Sequence, residues 1–389
     1  MVKTSENTIL RKTFLKQSDT IVILNQSSGY LQLDILDVFK AKYAKRAIIA
    51  GEIRFRNKPL DPDIKWHKVI KYNRKTKLTR LGTWLVCTFQ MLFILITKYR
   101  HADLLIVSNP PTSVLLPLMI KNSFSLLVYD VYPDSLYQSG VISRKSLIVK
   151  YWEKINRKIF AKANKIFSLT EGMKMALSAY VNFDKIEDIP IWTDNKFLKP
   201  KTREENTFLQ KHQLSEKFIV MYSGNIGYTH PVEIIIDIAE KIKNPTIQFL
   251  IIGEGEKKKM LVEKTQNARL NNVAFLPYQP TNELPNSLAA ADIAIVTLAD
   301  GSSLLSVPSK TYNLFSVGAA ILGIADQSSE LAEVLRKHKC GKCFPANDLT
   351  SITEFIEKLA VDQTQLKKYR ENSLKASLDY GIENAKRFL

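Results

Sequence analysis

Three stretches of this 389-residue chain set glycine, lysine and carboxylate where apolar runs give way to helical patterns. In residues 218–233, FIVMYSGNIGYTHPVE, a strand-like run ends at Ser223. Gly224, Asn225 and Gly227 follow, then Pro231 and Glu233 where a helix should start. Proline suits the first helical position and an acid the first turn. Glycines let a ligand approach the backbone, and a helix start presents N–H groups to phosphate, so the loop reads as an anion cradle. A tight strand-to-helix turn uses the same residues. In residues 307–318, VPSKTYNLFSVG, Pro308 and Ser309 open a helix, Lys310 sits in its first turn and Gly318 caps its end. A first-turn cation opposes the helix dipole, and a bound diphosphate reverses that penalty. A solvated surface lysine is the alternative. In residues 328–333, SSELAE, Ser328 or Ser329 caps a helix and Glu330 lies in its first turn, as a capping acid or as an acceptor for sugar hydroxyls.

Other candidates carry less information alone. Gly253 and Gly255 form a G-x-G pair, but Lys258 stands where a dinucleotide fingerprint needs its third glycine, which argues against a nicotinamide dehydrogenase. In the first half, Ser28 and Gly29 follow one strand-like run, and Asp130 and Asp134 follow another. A carboxylate there acts as a base or orients an acceptor hydroxyl, while turn and cap roles serve equally for Asp134. Cys340 and Cys343, with His338 nearby, have redox spacing. Zinc needs four ligands, and the segment reads as a turn into a strand. Asp61 and Asp63 form a lone D-x-D that is discounted as a metal site.

Positioning these loops requires strands that end together. Short Val/Ile/Leu runs alternate with helical stretches, the pattern of an α/β chain with parallel sheets and crossover helices. Strands are expected at 20–24, 47–50, 104–107, 126–129 and 165–169, then at 218–222, 248–252, 273–275, 293–297 and 320–324. Their nearly continuous apolar character is that of strands covered on both faces. Ligands of such sheets bind at the strands' carboxyl ends. The proline-containing stretch 189–202 divides the chain into a domain at 1–195 and another at 196–365, with a terminal helix at 366–389 returning to the first. The length fits two cores.

The charge is unevenly distributed. Residues 1–200 hold 33 Lys/Arg against 16 Asp/Glu, a net of +17; residues 201–389 hold 23 against 22, a net of +1. Such a half attracts a polyanion or an anionic leaflet. The longest apolar run, WLVCTFQMLFILI at 84–96, has basic residues on both flanks. Thirteen residues are too short to cross a bilayer as a helix, so the run is a core helix or lies in the membrane plane. With the charge asymmetry, peripheral attachment to an anionic membrane is the expectation. Nucleic acid is not expected, because no nucleic-acid module accompanies the charge. Three cysteines and a start without an apolar secretory segment suggest a cytoplasmic protein.

The motifs YSGNIG (222–227), IIGEG (251–255), NNVAFLP (271–277), AAADIAIV (289–296), VPSKTYNLFSVGAAIL (307–322) and SSELAEV (328–334) together resemble glycosyltransferase family four. DVYPDSL (130–136) and IFSLTEGM (166–173) resemble its first domain, in the branch of fucosamine- and colanic-acid-type transferases of bacterial surface polysaccharides. The resemblance implies a GT-B fold, two Rossmann-like domains facing a cleft that holds a UDP-sugar. It places Ser223, Gly224, Asn225, Gly227, Ser309 and Lys310 at the diphosphate, and Gly253, Gly255 and Tyr278 near the base. Glu330 falls on donor hydroxyls; Asp130 as the catalytic carboxylate, and Ser28 and Gly29 as an acceptor-side loop, are expected from their places after strands. It further implies retention of configuration, no metal, no cofactor beyond the donor, and a polyprenyl-diphosphate-linked acceptor. Two departures stand out. Leu305 and Asn313 occupy the places of the family's paired glutamates, leaving Asn313 to bond the ribose, and Tyr129 and Asp130 stand where a histidine is frequent. A nucleotide-sugar 2-epimerase shares this fold but needs cleft carboxylates and histidines, and the chain has five histidines in all. A non-catalytic nucleotide-sugar-binding scaffold is the third reading, kept open by the missing glutamates.

Overall fold

The computed structural model describes residues 18–56, 58–73, 75–138, 142–227, 230–298 and 308–389. Two all-parallel sheets organise them. The first contains β1 (Thr20–Leu24), β2 (Lys45–Ala50), β3 (Ile64–Lys68), β4 (Asp103–Val107), β5 (Phe124–Leu127), β6 (Ile166–Ser168) and β7 (Ile186–Asp188). Their order is β3-β2-β1-β4-β5-β6-β7. The second contains β8 (Phe218–Ser223), β9 (Ile247–Ile252), β10 (Val273–Leu276), β11 (Ile293–Thr297), β12 (Ala320–Ile324) and β13 (Gly341–Phe344), in the order β10-β9-β8-β11-β12-β13. Each sheet reverses its winding beside its first strand. That switch point opens a crevice at the strands' carboxyl ends.

Residue pattern accounts for most of this. TIVIL in β1 and IAIVT in β11 are apolar but for one terminal threonine each and nearly fully buried, because helices cover both faces. Two strands escaped the sequence reading. IKWHK in β3 and IED in β7 are polar and lie at the sheet's two edges, where one side has no strand to satisfy. The strand expected at 126–129 is shifted to Phe124–Leu127, which frees Tyr129 and Asp130 for the loop beyond it.

The apolar run at 84–96 sits within a longer helix, Lys77–Lys98, of 22 residues. Thr76 caps it by accepting from the Thr79 N–H at 3.1 Å. Its length of roughly 33 Å matches a bilayer core, longer than the apolar run alone suggested. Cys87, Met91 and Leu95 nonetheless recur every four residues and are fully buried in the first domain's core, so the helix lies along the domain. The opposite stripe is open: Leu78, Leu81, Leu85, Phe89, Phe93 and Ile96 are exposed, Phe89 by 69% and Phe93 by 65%.

At the chain end, helix Gln363–Ser377 packs along helix Lys310–Ser316. The following residues cross back, seating Ala385 and Phe388 in the first domain's core. The Phe388 ring lies 4.5 Å from that of Phe167.

Candidate functional site

Lys310 opens helix Lys310–Ser316, and its ammonium lies 3.9 Å from the centroid of the Tyr222 ring. A Cβ added to Gly224 would stand 3.4 Å from that ammonium and 3.5 Å from the Tyr222 hydroxyl. These are ordinary contact distances, so the backbone at 224 lies directly beside the ammonium. Two loops 86 residues apart in the chain meet at one point, with Tyr222 as the platform between them. The Tyr222 hydroxyl donates to the Asn225 carbonyl at 2.7 Å, fixing the loop below the lysine. Although the Lys310 side chain keeps some contact with solvent, its ammonium is crowded by protein. Desolvation pushes its pKa down to about 7, and no carboxylate among the described residues offsets this.

The glycine loop differs from the expected anion cradle. The Gly224 N–H donates to Ile252 O and the Ile226 N–H to Glu254 O, both at 2.9 Å, so two loop amides are already bonded. Helix Glu233–Lys241 begins two residues beyond Pro231, with Val232 at its cap. The G-x-G pair is explained by packing. A Cβ on Gly253 would collide with the Gly224 carbonyl, and one on Gly255 with the Ile226 backbone. These glycines set the loops after β8 and β9 backbone against backbone. Asn225 is exposed at the loop tip, and a Cβ on Gly227 would stand 2.6 Å from its side-chain nitrogen. Ser223 ends β8, Ser309 is exposed at the cap position of Lys310's helix without a side-chain capping bond, and half-exposed Tyr278 lies within electrostatic reach of Tyr222. Gly318 follows the same helix at φ +70, the left-handed conformation glycine tolerates.

Glu330 begins helix Glu330–His338, capped by Ser329, whose hydroxyl accepts from Ala332 N–H at 3.1 Å. Its carboxylate reaches across the molecule and accepts from Gly172 N–H at 2.6 Å, while burial raises its pKa. Gly172 follows β6, so carboxyl-end loops of both sheets face one another here. Asn313 makes a second bridge. Its Oδ1 accepts from the Thr193 hydroxyl at 2.7 Å and from Arg56 at 3.4 Å, and Arg56 also donates to the Thr193 hydroxyl at 3.0 Å. The Arg56 guanidinium lies 3.9 Å from the Tyr30 ring centroid. Arg56 and Thr193 carry no local motif, and their partner Asn313 lies 257 and 120 positions away, which is why sequence reading missed them. Leu305 lies outside the described residues.

On the first-domain side, Asp130 follows β5 at the cleft. Solvent reaches its carboxylate, yet the surrounding protein raises its pKa by desolvation. Asp134, by contrast, is buried and accepts from Tyr180, a structural role. Ser28 and Gly29 hold a helix start: the Ser28 hydroxyl donates to Asn25 O at 3.1 Å, and the Gly29 N–H donates to Gln32 Oε1 at 3.0 Å. Asp61 ion-pairs with buried Arg46 at 2.9 Å. Burial pushes the Cys340 and Cys343 thiols up to about 12 and about 11, away from thiolate chemistry. Among the described residues, no group of three or more His, Cys, Asp or Glu side chains is placed to hold a metal ion.

Comparison with known proteins places this geometry in a family. Residues 204–376 match the model of the glycosyl transferases group 1 family, spanning nearly all of the second domain. The chain is 25% identical over 345 residues to the probable glycosyltransferase WbjE of Pseudomonas aeruginosa, covering 86% of each. It is 32% identical over 118 residues to WcaI of Escherichia coli (strain K12), a glycosyl transferase assigned to colanic acid biosynthesis, covering 30% of this chain and 29% of that one. The crystal structure of Anabaena Alr3699/HepE in complex with UDP-glucose superposes with a TM-score of 0.69 at 13% identity, covering 95% of this chain and 97% of that one. The second domain thus carries the match to the glycosyl transferases group 1 family, and the chain is a glycosyltransferase built on the two-domain GT-B fold.

Proposed function

We propose that this enzyme transfers a sugar from a UDP-sugar to a lipid-linked acceptor at the cytoplasmic face of a membrane, in the synthesis of a bacterial surface polysaccharide. The observation that carries the reading is the Lys310 ammonium, enclosed beside Gly224 and Tyr222 with no anionic neighbour among the described residues. A cation held in a crowded cleft at a helix start is suited to a diphosphate, whose charge grows as the glycosidic bond to it breaks. UDP as the nucleotide is supported by the UDP-glucose complex of the Anabaena protein, and the polysaccharide setting by the names of the bacterial relatives.

In this reading Lys310 stabilises the departing diphosphate without a divalent ion. Asp130, solvent-reachable and made more basic by its surroundings, orients the acceptor hydroxyl and takes up its proton. Glu330, at one bridge between the domains, exchanges its Gly172 partner for donor hydroxyls when the substrate enters, while Asn313, held through its oxygen by Arg56 and Thr193 at the other, offers its NH2 group to the ribose. Retention of configuration follows the family resemblance. The hydrophobic stripe of helix Lys77–Lys98, with basic residues at both ends, lies in the membrane plane and keeps the acceptor side against the leaflet.

The experiment is transfer from a panel of UDP-sugars to polyprenyl-diphosphate-linked glycans in vesicles. UDP release together with a product that keeps the donor's anomeric configuration by NMR, both unaffected by EDTA, is the expected result. No UDP release across the panel overturns the reading.

A further inference from the structure

A cavity of about 530 Å³ opens on the first domain beside helix Lys77–Lys98, lined by Arg54, Lys71, Lys75, Tyr72, Glu52 and Thr83 among others. Its volume is that of an ordinary ligand pocket, roughly 300–1,000 Å³. Among the described residues of its lining, three cations face a single carboxylate. Glu52 is held by Arg54 at 2.7 Å and by the Ser27 hydroxyl at 2.9 Å and lies within electrostatic reach of Lys71, which leaves the described lining with an excess of two positive charges. The cavity is pinned to the helix: Asn73 N–H donates to the Thr83 hydroxyl at 3.4 Å, and Ile70 N–H donates to Gln90 Oε1 at 2.8 Å.

Its surroundings differ on its two sides. Along the helix, Val86 is one turn from Thr83 and adjoins the exposed stripe that runs from Leu78 through Phe89 and Phe93. In the other direction lie aromatic rings: Tyr72 stacks on Trp84 with centroids 6.0 Å apart, and Tyr132 stacks on Trp152 at 6.0 Å. Tyr132 is within electrostatic reach of Tyr72, Arg80 and Asp130. Next to one another the domain therefore presents an apolar helix face, a cationic cavity, two aromatic stacks and a carboxylate.

A polyprenyl-diphosphate-linked sugar has its parts in the same order: an apolar chain, a diphosphate, then a sugar whose rings stack well on aromatic faces. We propose that the cavity lined by Arg54, Lys71 and Lys75 binds the diphosphate of the lipid-linked acceptor, with the prenyl chain along the stripe of helix Lys77–Lys98 and the sugar on Tyr72 and Tyr132 toward Asp130. The site is separate from the donor cleft at Lys310, so the enzyme carries one diphosphate pocket per substrate. The proposal rests on the lipid-linked acceptor reading above. It adds the residues that separate this acceptor from a generic anionic membrane.

The test is flotation of the full chain with phosphatidylcholine vesicles carrying either undecaprenyl diphosphate or an equal charge of phosphatidylglycerol. The wild type should prefer the diphosphate vesicles by about thirtyfold, and the Lys71→Ala/Lys75→Ala variant should bind both kinds equally, since two lysines at a surface contribute about that much. Lys65→Ala/Lys68→Ala, which removes two exposed lysines from β3 outside the cavity, should keep the preference and controls for net charge. A UDP-induced thermal shift shows that each variant is folded. If the wild type shows no preference, or the cavity variant retains it, the pocket assignment is wrong. Sugar transfer to lipid-diphosphate acceptors with the preference unchanged in the cavity variant defeats the pocket alone. Transfer only to water-soluble glycans defeats the acceptor reading and the pocket with it.

Discussion

Helix Lys77–Lys98 of the first domain and helix Glu233–Lys241 of the second are both crossover helices rich in Ile, Leu or Phe, and they use those residues in opposite ways. The second buries Ile234, Ile235, Ile236 and Ile238 together, leaving only polar residues outside. The first buries Cys87, Met91 and Leu95 and turns an equally apolar stripe to the exterior. The surrounding charge differs in the same sense, +17 for residues 1–200 against +1 for the rest. The second domain, in the function proposed, holds a small anion through fixed geometry: an enclosed ammonium, a tyrosine platform, glycine loops packed backbone to backbone. The first offers surface chemistry suited to a large amphiphile.

The largest effect expected from this contrast is at Lys310. Lys310→Ala removes the cation enclosed beside Gly224 and should lower kcat by about 10²–10³-fold, the size seen when a group stabilising developing negative charge is lost. Thermal stability should hold or rise, because a desolvated ammonium without a carboxylate partner does not stabilise the fold. A variant that keeps near-normal turnover would remove the diphosphate from this site.

Next in size is the exposed stripe. Phe89→Ser/Phe93→Ser should weaken vesicle binding by about a hundredfold, from roughly 1.5 kcal/mol of apolar transfer per ring, with the thermal midpoint unchanged. Met91→Ala, half a turn from each on the buried side, should instead cost about 2–5 kcal/mol of stability by leaving a cavity. Equal destabilisation by both would mean that the stripe is covered by protein rather than lipid.

These regions also differ in how legible they were. The second domain's site was readable because its elements are local: Gly224 follows β8, Lys310 opens its own helix, and Glu330 follows a serine cap, each visible within a few residues. What the sequence hid there is the purpose of Gly253 and Gly255, whose spacing suggests a ligand but whose missing Cβ atoms serve loop packing. In the first domain β3 and β7 went unseen because edge strands can be polar. The helix of residues 77–98 was underestimated because its capped start at Thr76 lies outside the apolar run. Arg56 and Thr193 were invisible in principle, since nothing local distinguishes a cleft arginine from a solvated one.

A third consequence is pH dependence. Lys310 in the free enzyme has a pKa lowered to about 7, and a bound diphosphate favours the charged form and raises it. Binding UDP above pH 7 therefore takes up a proton, and affinity should fall by up to about tenfold per pH unit between 7 and 9. Calorimetry in buffers of different ionisation enthalpy measures that proton directly. Lys310→Arg stays charged throughout and should flatten the profile. A flat wild-type profile would place the ammonium in better-solvated surroundings than its crowding implies.

The smallest effect tests the bridge between the two regions. Arginine can only donate hydrogen bonds, so the Asn313 atom facing Arg56 and Thr193 is its oxygen, and its NH2 group points elsewhere. In the function proposed, that NH2 group is the oriented donor offered to the nucleotide. Arg56→Ala leaves the amide held by Thr193 alone. The 3.4 Å bond from Arg56 is long and weak, and a hydrogen bond contributes about 0.5–1.5 kcal/mol, so the KM for the donor should rise about threefold while kcat stays constant. Thr193→Val removes the 2.7 Å bond and should raise KM further, toward about tenfold. Arg56→Lys, which keeps the charge but not the planar fork that reaches both oxygens, should behave like the alanine variant. If lysine restores KM, Arg56 acts through its charge on the diphosphate and not through the orientation of Asn313.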